Sequence, residues 1–355
     1  MSLTRKTRKI DHLRQAMVLA DGPANTGFAD LMLVHNCLPE TNSSDVSITT
    51  VCAGLQLRHP VIINAMTGGA AALTQVNERL AQVAKQTGSV MAVGSQFAAL
   101  EFPEVAESFR VVRKVNPEGI IWANIGAYAK VEDAQRVVDM IEADALQVHL
   151  NAAQEISMPE GDGDFTGWLR RIEELAKRLP VPVIVKETGC GMAMEQVRLL
   201  SMTGARAVDI GGTGGTNFIA IETARTGRTL SNDLPFWGIP TAISAMEAAE
   251  VLPLGVDLIV SGGVRTPVDA LKSFAIGATA VGIAAPVLRL VEREGVEVAV
   301  RWVQEYLATL KQCVRMLGRT SIRDVAVHPL VITGLAAQWL EARDISIKKY
   351  ARRSM

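Results

Sequence analysis

Val181-Pro182-Val183-Ile184-Val185-Lys186-Glu187-Thr188-Gly189-Cys190-Gly191 is the stretch on which the fold of this chain turns. It opens with a short apolar run rich in valine and isoleucine, the pattern of a strand buried on both faces of a parallel sheet. Side chains alternate along a strand, so Ile184 and Lys186 share one face. If that face lines a barrel, Lys186 puts a cation at the strand's C-terminal mouth, a costly placement unless an anion shares the space. A second apolar run, Ala207 to Ile210, ends in Gly211-Gly212-Thr213-Gly214-Gly215-Thr216. Glycines there let backbone amides approach an anion closely. Taken singly, each stretch reads equally well as a satisfied lysine or an ordinary glycine-rich turn. Taken together, they read as floor and wall of a site for an anion-carrying cofactor.

Outward from this pair the chain alternates regularly. Strands are predicted at Val61–Asn64, Ser89–Gly94, Gly119–Ile125, Ala145–Leu150, Val181–Lys186, Ala207–Gly211, Leu258–Ser261 and Ala278–Ile283. Amphipathic helical stretches lie between most of them: Ala71–Gln86, Glu104–Val115, Val131–Glu142, Phe165–Arg178, Met192–Met202, Ile239–Ala249 and Pro267–Ala275. Eight strands alternating with helices indicate an α/β fold, a (β/α)8 TIM barrel. The alternative is a doubly wound open sheet, which the lack of GxGxxG after the first strand weakens. The expected organisation is one domain over 1–355, with an entry segment (1–58), a barrel (59–285) and a helical tail (286–355) broken near Gly318 and His328-Pro329.

Composition bounds the function. Hydrophobic residues make up 48% of the 355 and charged residues 21%, as in a globular soluble protein. A net charge of −1 gives no bulk reason to expect nucleic acid or membrane partners. No apolar run is long enough to span a bilayer, and the N-terminus lacks an apolar signal core. Cys37, Cys52, Cys190 and Cys313 are scattered, with no CxxC, so neither a zinc site nor a disulfide framework is indicated and a cytoplasmic setting is expected.

The unusual residues gather just after the predicted strand ends, where barrel enzymes do their chemistry. They include Met66-Thr67-Gly68-Gly69, Gly94-Ser95-Gln96, Asn124-Ile125-Gly126, His149-Leu150-Asn151 and Ala284-Ala285. Ser261-Gly262-Gly263 supplies amides for a phosphate, Thr266 and Pro267 open a helix beside them, and Arg265 can add a charge-assisted contact. A phosphate there and a cation at Lys186 suit flavin mononucleotide, with Thr67, Ser95 and Asn124 placed for ring and ribityl groups. At the N-terminus Arg5-Lys6 and Arg8-Lys9 precede His12, while Ile10, Leu13 and Met17 form a helix stripe. The arm reads either as a solvated basic tail or as an anion clamp.

Several of these motifs resemble type 2 isopentenyl-diphosphate delta-isomerase over nearly the whole chain. They are Arg8-Lys9-x-x-His12, Ala65-Met66-Thr67-Gly68-Gly69, Val93-Gly94-Ser95-Gln96, Ala123-Asn124-Ile125-Gly126, His149-Leu150-Asn151-x-x-Gln154-Glu155, Lys186-Glu187-Thr188-Gly189, Gly211 to Asn217, Trp237-Gly238-Ile239-Pro240-Thr241 and Ser261-Gly262-Gly263-Val264-Arg265. The glycine motifs are shared by many flavin barrels; the N-terminal clamp together with the His149–Glu155 run is the specific part.

The resemblance implies an enzyme that interconverts isopentenyl diphosphate and dimethylallyl diphosphate with reduced FMN and Mg2+, NADPH serving as reductant. It implies FMN contacts from Ala65, Met66, Thr67, Ser95, Asn124, Lys186, Thr216, Gly262, Gly263, Arg265, Ala284 and Ala285. Arg8, Lys9 and His12 would hold the diphosphate, with Ser95, His149 and Asn151 also on the substrate side; Gln154 would sit beside the allylic carbons and Glu155 would hold magnesium. This chain has Phe97 where some relatives carry a polar or basic residue, so no phosphate contact comes from that position.

Glu155 is expected in a loop after the strand, and His149 and Asn151 on one strand face. Moving a double bond needs a proton delivered to one carbon and another removed nearby. The site is short of conventional acids and bases, which leaves N5 of reduced FMN as proton carrier, with Gln154 orienting the alkene. The helical tail and the outer apolar surface are compatible with a homotetramer or homo-octamer. The rivals are an FMN hydroxy-acid oxidase, which needs a histidine base late in the barrel, a nucleotide dehydrogenase, which needs a cysteine after the sixth strand, and a non-catalytic flavin-binding barrel. Neither the histidine nor the cysteine is present in those places.

Overall fold

The computed structural model describes residues 2–228 and 231–354, with backbone alone for residues 2–6. The side chains of Arg5 and Lys6 therefore lie outside the described residues. Eight parallel strands close a barrel: β1 (Val61–Ile63), β2 (Val90–Ala92), β3 (Ile121–Gly126), β4 (Ala145–Leu150), β5 (Val183–Glu187), β6 (Ala207–Asp209), β7 (Asp257–Ser261) and β8 (Ala280–Ile283). Each pairs with its sequence neighbour; β8 closes on β1 through Val281↔Val61. All eight fall within the predicted strands to within two residues at either end.

Period two sorts these strands into two cores. Outward-facing Ile63, Met91, Ile121, Val148, Val185, Val208, Val260 and Val281 pack under the surrounding helices. Inward-facing Ile62, Val90, Trp122, Ala145, Ile184, Ala207, Ile259 and Ala280 form a separate apolar plug. Two residues further along the inward face the chemistry changes from apolar to polar. Trp122 gives way to Asn124, Ala145 to Gln147, Ile184 to Lys186, Ala207 to Asp209 and Ile259 to Ser261. The barrel thus carries a polar layer on an apolar floor, at the end where the strands finish.

The entry segment closes the opposite end. A hairpin of Thr50–Cys52 and Leu55–Leu57 puts Cys52, Ala53 and Leu57 against the apolar plug, and Ala53 N donates to Asp257 Oδ2 at 2.7 Å. The tail departs from expectation. It contains the long helix Val296–Met316, but Leu330–Ile332 is a strand paired antiparallel with Leu31–Leu33. Three residues carry too little periodicity to reveal a strand. Three helices were also unforeseen: Phe97–Glu101, Ala152–Ser157 and Phe218–Thr226. Two are shorter than two turns, and the third has no clean apolar stripe. Among the described residues, no helix is long and apolar enough to cross a membrane.

Candidate active site

A solvent-open cavity of about 1420 Å³ lies over the C-terminal ends of the strands. Every site residue named from the sequence lines it, although the residues come from nearly all the barrel strands and from the N-terminal helix Ser2–Val18. Cations outnumber anions on its walls: Arg8, Lys9, Lys186 and Arg265 against Glu155. An anionic ligand is favoured to the extent that carboxylates behind the walls leave these cations uncompensated.

At the floor, Lys186 Nζ donates to Glu187 O at 2.9 Å and to Ser261 Oγ at 3.3 Å, and lies 3.2 Å from Asp209 Oδ2. Asp209 is fully buried, so the anion that offsets Lys186 belongs to the protein itself. Sequence reading passed over Asp209. Its signal was available: an acid inside an apolar strand, on the inward face it shares with Lys186. His149 neighbours Lys186 across β4 and β5. Burial, with Lys9 and Lys186 nearby, pushes its imidazole down to about 3, so the ring is neutral at neutral pH.

The phosphate end is built by tight backbone packing. Gly262 has φ +102°, and a Cβ there would fall 2.1 Å from Gly212 O. Only glycine lets the two loops meet. The amides of Gly262 and Gly263 reach no acceptor among the described residues, and the helix Ala285–Glu294 begins beside them. Thr266 caps the helix Pro267–Ile276 by accepting from Asp269 N, with Pro267 at the first position, as predicted, but neither residue lines the cavity. Arg265 differs from expectation. Its Nε donates to Asp21 Oδ2 at 2.8 Å and its Nη2 to the same oxygen, while Arg289 Nη2 donates to Asp21 Oδ1 at 3.1 Å, so one carboxylate is shared between two guanidinium groups. Thr67 Oγ1, Asn151 Oδ1 and Arg8 Nε are buried without a hydrogen-bond partner among the described residues. Unmet donors at Gly262 and Gly263, a glycine cradle and orphaned polar atoms above a cationic floor fit a phosphate-tailed cofactor such as FMN.

The upper wall is made by the N-terminal helix and the helices Ala152–Ser157 and Phe218–Thr226. Leu13, Ala16, Phe218, Ile221 and Leu288 give it an apolar side. Glu155 lies on the helix, which corrects the expected loop. Its Oε1 accepts from Asn151 Nδ2 at 2.8 Å and its Oε2 from Asp162 N at 3.0 Å. Among the described residues no group of three His, Cys, Asp or Glu side chains forms a metal cage. A single carboxylate fits magnesium only where ligand oxygens and waters complete the sphere.

Glu222 was missed by sequence reading and is the hub of this wall. Fully buried, it accepts from Gln154 Nε2 at 2.9 Å and from Arg225 Nε at 2.7 Å, and its Oε1 lies 2.7 Å from His12 Nε2. Burial opposes its charge, but the contacts from His12, Gln154 and Arg225 outweigh it and hold the carboxyl down at about 2. His12 therefore lines the cavity with Nε2 turned toward Glu222. Phe97 stacks edge-on to Tyr128, a cavity residue also missed, with centroids 5.2 Å apart.

The groups that the rival readings need are out of place. His328 is buried outside the cavity, its Nε2 2.7 Å from Val34 O. Burial and the Glu187 charge push the Cys190 thiol up to about 12, which leaves it unreactive.

Residues 149–331 match the model of the FMN-dependent dehydrogenase family. The solved structures that resemble the chain include mandelate oxidase, with a TM-score of 0.65 at 14% identity, covering 94% of this chain and 98% of that one. A flavocytochrome b2 variant gives a TM-score of 0.65 at 18% identity, covering 97% and 85%. Likeness at this identity shows the barrel fold alone. Much closer are proteins named isopentenyl-diphosphate delta-isomerase. That of Geobacillus sp. (strain WCH70) is 46% identical over 99% of this chain and 100% of its own length. That of Symbiobacterium thermophilum is 44% identical over 99% of each, and that of Staphylococcus aureus (strain Newman) is 40% identical over 97% and 98%. With that identity held end to end, on a flavin-type barrel, the chain belongs to the isopentenyl-diphosphate delta-isomerase family in its FMN-dependent form.

Proposed function

We propose that this chain interconverts isopentenyl diphosphate and dimethylallyl diphosphate, using reduced FMN, with Mg2+ on the diphosphate and NADPH as the reductant. One observation supports the reading above all: Arg8, Lys9 and His12 line the same cavity as Gln154 and Glu155, with Lys186 at its floor. That arrangement suits a ligand with a charged head and a small apolar body above a flat, electron-rich ring.

Gly262, Gly263, Ala284 and Ala285 hold the FMN phosphate through backbone amides. Ala65, Met66, Thr67, Ser95, Asn124 and Thr216 contact the ring and ribityl chain, and Lys186 supports the N1–C2=O edge. Arg265, which also lines the cavity, is held in place by Asp21, a carboxylate it shares with Arg289. When bound and reduced, the flavin supplies proton exchange at N5.

Arg8 and Lys9 bind the diphosphate, and Glu155 and Asn151 orient magnesium and its waters there. Glu222 accepts from Gln154 Nε2, leaving the carbonyl Oε1 as the free end of that amide. A carbonyl oxygen accepts and does not donate, so Gln154 positions the alkene instead of protonating it. The apolar side of Leu13, Ala16 and Phe218 keeps water from the reacting carbons. Exposed Met202, Phe236 and Trp237 support a homotetramer or homo-octamer, and the reading places the enzyme in the cytoplasm.

The test is an anaerobic assay with FMN, magnesium and isopentenyl diphosphate. With NADPH, the isomer should form in large excess over NADPH consumed; with oxidised FMN it should not form. Absence of isomerisation by flavin-loaded, reduced enzyme would overturn the assignment.

A further inference from the structure

The polar layer inside the barrel is a single directed chain of hydrogen bonds. Asn64 Oδ1 accepts from Ala65 N at 2.9 Å, and Asn64 Nδ2 donates to Asp209 Oδ2 at 2.7 Å. A backbone N–H can only donate. Asp209, which faces the Lys186 ammonium and accepts a hydrogen bond from the Ser261 hydroxyl, can only accept. The Asn64 amide therefore has one possible orientation.

The orientation propagates. Gln147 Nε2 must donate to Asn64 Oδ1, at 3.0 Å. That leaves Gln147 Oε1 to accept from Asn124 Nδ2 at 3.1 Å. Asn124 then has only Oδ1 for His149 Nδ1, 2.8 Å away. A carbonyl oxygen cannot donate, so Nδ1 must carry the proton, and the neutral ring has its lone pair on Nε2. Asn64, Asn124, Gln147 and Asp209 are all buried, so water does not compete for these bonds. His149 itself lines the cavity, and no hydrogen bond from the described residues reaches its Nε2.

We propose that this relay holds His149 as the Nδ1–H tautomer so that Nε2 accepts a hydrogen bond from the imide N–H of the flavin ring, and that His149 does not hold the diphosphate. The inference rests on the proposed function for the identity of the ligand. An ionised diphosphate offers only acceptors, which a bare lone pair repels. The pyrimidine edge of an isoalloxazine offers an acceptor carbonyl beside an N–H donor. The protein presents the complement on adjacent strands: the Lys186 ammonium donates, and Nε2 of its register neighbour His149 accepts. Asn64, Gln147 and Asp209 are then positioning residues that act through His149.

Nitrogen-15 spectroscopy of histidine-labelled full-length protein tests this, with His149 signals identified by their loss in His149→Asn. In both the FMN-free and FMN-loaded protein, Nδ1 should be protonated and Nε2 bare at neutral pH. Gln147→Met frees Asn124 to rotate, so the Nε2–H tautomer should appear; Asn64→Leu does the same if that variant does not fold. A wild-type ring protonated at Nε2, or a tautomer unchanged in folded relay variants, overturns the relay.

Affinity tests the ligand. Wild-type protein should prefer FMN to 3-methyl-FMN by about tenfold more than His149→Asn does, the worth of roughly one hydrogen bond. Equal discrimination by the two proteins overturns the imide contact. Protonation of Nε2 on adding inorganic diphosphate to the FMN-free protein would assign His149 to the phosphate instead. Failure to bind any flavin defeats the proposed function, yet leaves the tautomer measurement in the FMN-free protein decisive for the relay.

Discussion

At position 222 a carboxylate with no solvent exposure organises three side chains that the sequence sets far apart. His12 comes from the N-terminal helix, Gln154 from the helix after β4, and Arg225 lies one turn on. A carboxylate only accepts, so it fixes the Gln154 amide in one orientation. Glu222→Gln keeps the shape but can donate as well as accept, and the orientation is lost. The expected result is a fall in kcat of about tenfold to a hundredfold, the worth of one charged hydrogen bond. FMN affinity should hold, because the change is on the substrate wall. Steady-state kinetics beside flavin titration would check this; unchanged kcat would show that Gln154 is held by other means. Nothing in Phe218-Ile219-Ala220-Ile221-Glu222 announces this role. An acid in an apolar stretch is a weak signal until its partners are known.

Among the elements, the N-terminal helix is the one whose docking matters most to the site. Ile10, Leu13 and Met17 pack it down, as its stripe predicted, and Arg8, Lys9 and His12 then reach the cavity. Its C-terminal carbonyls are held by the helix Ala285–Glu294. Arg289 Nε donates to Ala16 O at 2.9 Å and Nη2 to Leu19 O at 2.8 Å, while Arg293 Nη2 donates to Met17 O. Cations at a helix C-terminus satisfy free carbonyls and oppose the dipole. Arg289→Ala should speed amide exchange in residues 8–18 by about tenfold or more, since a charged hydrogen bond contributes roughly 2 kcal/mol. Substrate KM should rise, with flavin still bound. Exchange as slow as in the wild type would mean that the apolar stripe alone docks the helix.

Across the whole molecule, acid stability should follow its buried histidines. His59 is buried beside β1, with Nε2 3.2 Å from Thr87 O and Nδ1 accepting from Val61 N at 3.3 Å. Only the neutral ring satisfies both. Burial, opposed in part by the Thr87 contact and aided by Arg58, pushes its pKa from 6.5 down to about 4, and that of His149 falls to about 3. A lowered folded value means that the unfolded chain binds more protons between the two values. Stability from these groups is therefore fully present above about pH 6.5 and is lost as pH falls toward 3. Each contributes up to about 1.4 kcal/mol per pH unit in its window. Urea midpoints measured from pH 8 to pH 4 should decline below about 6.5, and His59→Gln should flatten part of that decline. A flat profile in the wild type would show that other groups compensate.

The barrel and the membership of its cavity were legible in the sequence, because alternation of period two and glycines after strand ends are local patterns. Val181–Lys186 declares a buried strand, and in a barrel every strand's last inward residue faces one mouth. Partnership was not legible. That Asp209 offsets Lys186, that Glu222 turns Gln154 and His12, that Asp21 claims Arg265, and that Asn64 sets the tautomer of His149 are contacts between distant segments. They depend on side-chain reach and on which atoms are left to donate or accept, and neither quantity exists until the strands close. Residue types and positions determined what the cavity contains, while only the tertiary structure decided which of its charges are free to meet a ligand.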